Sequence, residues 1–319
     1  MNVQASLDSG TPLGISYDDF DTESPGNIND IDIENTQRPE TVTDASWQRV
    51  LVKYLRVRME VLRRVNGLFD TQFSQADIQS ITTQLNDACR ECDSILQSGE
   101  DIDIFKRNMA DLFLRRFLLT LHRPLASAAS PKHPEFYFSR KICLDSATAL
   151  LSPPHNADFS HLCLLGGGIF KNRIIHASVA LCSELLIDLD ERGPVQRLST
   201  YSRMLIDTVR ESLRQTTERI RHGETNVHLP VKLTVVLCLA ECIKGGSRQQ
   251  QRMMQAAKES LEMSHAIIQG RWEALATGQQ QDVQSFVAQN FDQDAFEFSI
   301  DQTLDDFFGT MDFGEALIS

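Results

Sequence analysis

The stretch LFLRRFLLTLHRPLASAASPKHPEFYFSRKICLDSATALL, residues 112–151, decides the fold. Its first part places apolar side chains three and four residues apart, as one face of an α-helix requires. Arg123-Pro124 is expected to end this helix, because the residue before a proline is disfavoured in the α region. A second apolar period begins at Phe136 and continues to the next pair of prolines. The stretch therefore predicts a helix, a His-Arg-Pro corner and a second helix.

The same helical period recurs along the chain and predicts an all-α, bundle-like protein of roughly eight helices packed as antiparallel neighbours. Alternating strand patterns and repeats of fixed period are not apparent in the sequence. Thr43-Asp44 is expected to cap the first long helix, and Ser74 with Asp77 forms a capping box for the next.

Residues 153–168 break the helical pattern. Within them, Gly166-Gly167-Gly168 is interpreted either as a flexible joint or as a place of close backbone approach, since glycine suits both. The triplet is not followed by Lys-Ser or Lys-Thr, so it does not indicate a phosphate-binding loop.

Charge divides the chain into three parts. The net charge is −8 before Arg38, +5 from there to Arg271 and −10 beyond it. We therefore expect an acidic, irregular segment at residues 1–42, a helical core at 43–276 and an acidic-aromatic tail at 277–319. The first segment is interpreted either as disordered or as an ordered strap lying across the core.

The tail interleaves Asp and Glu with seven Phe residues between positions 286 and 313. Such a composition is typical of a disordered activation segment. Four apolar side chains follow the i, i+3, i+4, i+7 spacing of a helix that folds into a partner's groove. The predicted activation or partner-binding residues are Leu304, Phe307, Phe308, Met311 and Phe313. The alternative is that this stripe is the last helix of the core.

The seven cysteines do not indicate a metal or redox site. Cys89 and Cys92 form one C-x-x-C pair, but a zinc site needs a second pair of ligands, so we interpret both as core-side helical residues. His122-Arg123 is interpreted as a packed corner in which Arg123 satisfies carbonyls at the end of a helix. No cofactor, no catalytic residue and no membrane span are predicted.

The segments His122-Arg123-Pro124, Tyr137-Phe138-Ser139, Cys143-Leu144 and Ala147 resemble the fungal-specific transcription factor domain. That domain is the large α-helical middle region of fungal zinc-cluster regulators. A second match lies near the start, at residues 8–12 and 25–32. The resemblance implies an all-α regulatory domain, with structural roles for Arg123, Pro124, Ser139, Cys143 and Ala147.

In that family a DNA-binding zinc cluster and several helices precede the segment that residues 1–36 resemble. We therefore expect the chain to start within the domain, with bare apolar faces that favour self-association. The six-cysteine arrangement of a zinc cluster cannot be built from the cysteines of this sequence, so direct DNA binding is not expected.

These observations favour a nuclear, or alternatively cytoplasmic, transcriptional regulator that lacks its own DNA-binding domain. It would control a metabolic gene cluster by pairing with a DNA-bound regulator or with itself, and it would contact the transcription machinery. The alternatives are a module that responds to a small-molecule effector, a truncated product of a zinc-cluster gene and, least favoured, a helical enzyme.

Overall fold

The computed structural model describes residues 2–29, 42–43, 45–67, 74–97, 103–127, 129, 136–192, 198–241 and 247–278. Within these ranges the chain forms eleven α-helices and one 3₁₀ turn, at Tyr17–Asp19, and no β-strand. The predicted all-α class is confirmed, with more helices than the roughly eight expected.

The helices have the following bounds: α1 Asn2–Ser9, α2 Ser46–Lys53, α3 Leu55–Val65, α4 Gln75–Gln97, α5 Ile104–Ser127, α6 Tyr137–Leu151, α7 Ala157–Leu165, α8 Gly168–Arg192, α9 Thr200–Arg221, α10 His228–Glu241 and α11 Ser247–Gly278. They form two compact units, Met1–Glu184 and Leu185–Ser319. Helix α8 contributes its first part to unit 1 and its last two turns to unit 2.

Unit 1 is built around α5, which buries apolar side chains on nearly all of its surface. Leu114 and Phe117 have no exposed area, and a helix that is apolar all round must be covered by neighbours. Helix α6 packs most extensively against it, followed by α4. The predicted pairing of the two helices in residues 112–151 is therefore present.

The prediction that the first of these helices ends at Arg123 is wrong. Helix α5 continues through Pro124 to Ser127. A proline within a helix removes one hydrogen bond and costs ~3 kcal/mol or more. Here it lies in the last turn of a helix whose preceding residues, Leu121 and His122, are buried, so packing holds the backbone helical. The Ser127 hydroxyl also donates to the Arg123 carbonyl at 3.2 Å.

The long helix expected after Thr43-Asp44 is two helices, because the chain breaks at Tyr54 between α2 and α3. Ala45 is the N-cap of α2, and Thr43 instead bonds Ser46 through its backbone N–H at 2.9 Å. At the break, the buried Arg58 guanidinium donates to the Leu51 carbonyl. That bond satisfies an acceptor that the end of α2 leaves open.

The acidic first segment includes a helix, which was not expected. Val3 and Leu7 of α1 are buried in the same apolar cluster as Leu62 and Phe117. The residues that follow, as far as Asn29, contact α2 and α3 through Ser16, Tyr17, Pro25 and Asn27. For residues 2–29 the structure therefore corresponds to the ordered strap.

The region expected to break the pattern contains α7, which Asn156 caps by accepting from the Phe159 N–H at 2.9 Å. A Cβ added at Gly166 would lie 2.5 Å from the Leu162 carbonyl oxygen and 2.7 Å from a ring carbon of Phe170. Of the two interpretations of the glycine triplet, close backbone approach is the one that Gly166 shows.

Unit 2 packs α9, α10 and α11 against one another. Its core cluster joins Val231 and Val235 of α10 to Met253, Ala257 and Leu261 of α11. Helix α10 is largely buried, as predicted, and α11 runs beyond its expected end at Trp272. None of the described helices combines the length and the apolar character that a membrane span requires.

Candidate functional site

His122 lies at the centre of the α5–α6 packing and has no exposed area. Its Nε2 is 2.8 Å from the Thr82 hydroxyl of α4, and its Nδ1 is 3.0 Å from the Ser139 hydroxyl of α6. Thr82 donates its own hydrogen to the Ile78 carbonyl at 2.6 Å. Thr82 must therefore accept from Nε2–H, and Ser139 must donate to Nδ1. The imidazole is a neutral bridge between three helices.

Burial lowers the pKa of His122 to about 4 from its usual value near 6.5. The charged form has no carboxylate to stabilise it in this bridge, so desolvation decides the protonation state. At neutral pH the ring is uncharged and both of its nitrogens are engaged. It is therefore suited to holding helices together and not to transferring protons.

The other residues of the predicted family motif are divided between the core and the surface. Cys143 lies 3.9 Å from the Leu119 carbonyl, and Ala147 has no exposed area, so both pack closely against α5. Ser139 is buried on His122. Arg123 and Pro124 are exposed. The motif therefore lies on two packed helices, α5 and α6. Its residues Arg123 and Pro124, however, do not lie on the face where these helices pack.

Arg123 does not have the predicted role of satisfying carbonyls at a helix end, because the helix continues past it. Three other arginines do this for other helices. Arg58 donates to Leu51, Arg173 donates to Leu150, and Arg271 donates to Ile220 at 2.7 Å. Each reaches the open last turn of a helix, where cations and donors are favoured.

A buried ion pair of unit 1 was missed by sequence reasoning. Arg116 of α5 has a fully buried side chain and pairs with Asp8 of α1. Gln4 of α1 lies 3.4 Å from the same guanidinium. His176 faces this group, and its pKa is lowered to about 4, first by burial and then by repulsion from Arg116 and Arg123. The pair joins positions 108 residues apart, so no local pattern could signal it.

The buried thiols are held protonated. Burial raises the pKa of Cys89, Cys92, Cys143 and Cys182 to about 12. A thiolate is the form that attacks electrophiles and binds metals, so these thiols are inert at neutral pH. Cys89 and Cys92 lie in the core, as the sequence predicted. Over the ranges that the structure describes, no three His, Cys, Asp or Glu side chains are grouped so that they could hold a metal ion.

These contacts form a buried polar centre suited to fixing α1, α4, α5 and α6 in one arrangement. The predicted partner-binding residues of the tail, Leu304, Phe307, Phe308, Met311 and Phe313, lie outside the described residues. They stay a prediction.

Sequence comparison connects this helical chain with fungal regulators. It is 29% identical over 302 residues to the transcription factor lepE of Aspergillus flavus, a match that covers 86% of this chain and 36% of that protein. It is 27% identical over 373 residues to the transcription factor asR3 of Sarocladium schorii, covering 99% of this chain and 43% of that protein. It is 26% identical over 297 residues to the aspyridones cluster regulator apdR of Emericella nidulans, covering 84% and 40% respectively.

No family model matches the chain. No solved structure matches it either. The chain spans 36% and 43% of the lengths of the first two of these relatives, so the similarity concerns one part of each. Over that part, this all-α chain is homologous to fungal transcription factors.

Proposed function

We propose that the chain is a nuclear transcriptional regulator that acts on gene expression through other proteins. The observation that carries the proposal is its similarity to named fungal transcription factors over 84% or more of its length. The buried polar centre supports it, because the neutral His122 and the protonated Cys143 serve helix packing. The proposal therefore gives the chain no catalytic role.

The route to DNA is proposed to be a DNA-bound partner, which is either a separate regulator or a second copy bound to one. The cysteines of these 319 residues do not contain the six-cysteine arrangement of a zinc cluster. Those that the structure describes in unit 1 lie in helices, and Cys89, Cys92 and Cys143 are buried there. The net charge of −13 also disfavours binding to the phosphate backbone, which requires clustered lysine and arginine.

The regulated genes are proposed to be a secondary-metabolite gene cluster. One relative is named as the regulator of such a cluster, and this supports the proposal by homology. The similarity does not extend to a choice of product, so the proposal names the class of genes only.

The activating element is proposed to be the acidic-aromatic tail at residues 277–319. Its acids keep the aromatic side chains solvated until a groove on the transcription machinery accepts them. The charge density supports this, since no Lys or Arg follows Arg271. The alternative, in which the helical core responds to a small-molecule effector, stays a prediction.

The test fuses the full chain to an unrelated DNA-binding domain and measures a reporter gene in a fungal host. We expect activation, and we expect Phe307→Ala with Phe308→Ala to abolish most of it while nuclear accumulation, followed by fluorescence, is unchanged. Phe286→Ala with Phe291→Ala is the matched control outside the predicted stripe. A silent fusion that reaches the nucleus at normal levels would contradict the activation role.

The partner route is tested separately with the purified chain and labelled DNA. We expect no sequence-specific mobility shift up to micromolar protein. A sub-micromolar shift that prefers a CGG-type site over a scrambled site would overturn the partner route and leave the regulatory role standing.

A further inference from the structure

The residues that follow α1, 10–29, form a strap along α2 and α3. Leu13, Ile15 and Phe20 pack against the core cluster of unit 1. At the far end of the strap, the Asn27 side-chain oxygen accepts from the hydroxyl of Ser46 at 2.7 Å. Two anchored ends therefore hold the strap in place.

Between these anchors, residues 21–26 (Asp-Thr-Glu-Ser-Pro-Gly) are all exposed and belong to no helix or strand. Ser24 is followed by Pro25, which disfavours the helical conformation at Ser24. An enzyme that modifies a hydroxyl must reach residues on both sides of it, and exposed, irregular segments of this kind permit that access.

Two other described positions carry a Ser or Thr before a proline, and both are exposed but held by local hydrogen bonds. The Thr11 hydroxyl is 2.6 Å from that of Ser9, and its carbonyl accepts from Asn66 at 3.1 Å. Ser152 ends α6, where its N–H donates to the Thr148 carbonyl at 2.9 Å. These local hydrogen bonds distinguish Thr11 and Ser152 from Ser24.

A cation also contacts Pro25, the residue that follows Ser24. Arg49 of α2 is exposed, and its Nη1 donates to the carbonyl of Pro25 at 3.2 Å. Among the residues that the structure describes, no carboxylate pairs with Arg49. Its charge is therefore available to an anion that forms next to Pro25. Asp21 and Glu23 on the strap would repel such an anion, so the arginine decides whether the anion is held.

We propose that Ser24 is a phosphorylation site for a proline-directed protein kinase, and that its phosphate docks on Arg49. The Ser24 oxygen attacks the terminal phosphoryl group of a nucleoside triphosphate. The new O–P bond replaces the bond to the leaving diphosphate, and the hydroxyl proton passes to a base of the kinase. No oxidant or reductant is involved.

The modified side chain carries almost two negative charges and three acceptor oxygens at neutral pH. Guanidinium binds phosphate through paired, charge-assisted hydrogen bonds. Besides its hydrogen bond to the Pro25 carbonyl, Arg49 then forms an ion pair with the Ser24 phosphate. The middle of the strap is thereby clamped more firmly to α2.

The test treats the full chain with a purified proline-directed kinase and ATP, locates phosphate by mass spectrometry and measures hydrogen exchange before and after. We expect phosphate on Ser24, none on Thr11 or Ser152, and loss of the signal in Ser24→Ala. Exchange across residues 16–29 should slow by about tenfold on phosphorylation, as new charge-assisted bonds order the segment.

Two arginine variants distinguish phosphorylation of Ser24 from binding of the phosphate to Arg49. In Arg49→Gln, Ser24 should still be phosphorylated, but exchange should not slow. Arg63→Gln is the matched control, because Arg63 contacts the strap at Ser16, away from Ser24, at 3.4 Å. Phosphate that appears elsewhere but not on Ser24 overturns the site. Phosphorylation that slows exchange equally in Arg49→Gln overturns the docking.

Discussion

Two arginines, one in each unit, differ in where they find their partners. In unit 1, the fully buried Arg116 pairs with Asp8, which lies 108 residues away. In unit 2, Arg214 pairs with Glu211, three residues before it on α9, at 2.6 Å, and most of the guanidinium is exposed. A buried charge is costly unless paired, whereas an exposed pair on one helix contributes little. The same chemistry is thus structurally decisive at Arg116 and marginal at Arg214.

Individual buried polar groups show a similar contrast. His122 of unit 1 joins hydroxyls on α4 and α6. Two buried hydroxyls of α9 in unit 2 return to their own helix, Ser212 to the Thr208 carbonyl at 3.1 Å and Thr216 to the Ser212 carbonyl at 3.0 Å. A third, Ser202, donates to the Asp188 carboxylate of α8 at 2.6 Å. The hydrogen bonds of His122 help to fix how the helices of unit 1 pack together. Those of Ser212 and Thr216 in unit 2 stay within one helix and specify no such packing.

The largest effect is expected from Asp8→Asn. Removing one partner of a buried ion pair leaves an uncompensated charge and costs ~3–5 kcal/mol. The free energy of unfolding of unit 1, measured by chemical denaturation, should fall by that amount. Replacing both partners, with Asp8→Leu and Arg116→Met, should recover most of it. A loss in Asp8→Asn as small as that in Asp207→Asn, at an exposed pair of unit 2, would erase the contrast.

Acid should weaken unit 1 through His122 and His176. The folded pKa of His122 and of His176 is lowered to about 4, below the usual value near 6.5. The unfolded chain therefore takes up protons first, and stability that is fully present above pH 6.5 is lost as the pH falls to about 4. Each histidine contributes about 3 kcal/mol over this window.

This pH dependence is measured by denaturation at a series of pH values. His122→Gln should remove about half of the slope between pH 6.5 and 4, whatever its effect on stability at pH 7. His222→Gln, at an exposed position of unit 2, is the control and should leave the slope unchanged. An unaltered slope in His122→Gln would show that the ring is not held neutral.

Loss of a helix cap should lower the unfolding free energy equally in the two units. Cap variants therefore test the comparison. Asn156 accepts from the Phe159 N–H in unit 1, and Ser199 accepts from the Ser202 N–H at 3.0 Å in unit 2. Loss of such a cap costs ~1 kcal/mol. Asn156→Ala and Ser199→Ala should lower the unfolding free energy similarly, as measured by thermal and chemical denaturation. A much larger loss in unit 1 would mean that all of its polar contacts, local ones included, are decisive.

The smallest effect is expected from Arg214→Gln. An exposed pair within one helix contributes about 0.3–0.5 kcal/mol, and salt screens it. The midpoint of thermal unfolding should change by a degree or two at low salt and not measurably at high salt. A loss that persists at 1 M salt would indicate that Arg214 has a packing role.

Local patterns in the sequence were enough for the elements that local chemistry controls. Ser74 and Asp77 form the predicted capping box, with the Asp77 N–H donating to the Ser74 hydroxyl at 3.1 Å. Helix α6 begins next to the predicted Phe136. Cys89 and Cys92 face the core, because their spacing places them on the apolar side of α4.

The errors occurred where burial overrides a local preference. Pro124 disfavours a helix, yet α5 passes through it because Leu121 and His122 in the preceding turn are buried. The apolar period around Tyr54 indicates one helix, yet the chain breaks there, and Arg58 caps the open end. Propensity is a weak determinant, and tertiary contacts routinely exceed it.

The sequence by itself thus determined the all-α class, the helical pairing of residues 112–151 and the core position of the C-x-x-C cysteines, because each depends on spacing along the chain. Only the tertiary structure decided that α1 is part of the core, that Asp8 neutralises Arg116 and that Ser24 lies open beside Arg49. These contacts join residues far apart in sequence, and a pairing of that kind leaves no period or spacing to detect.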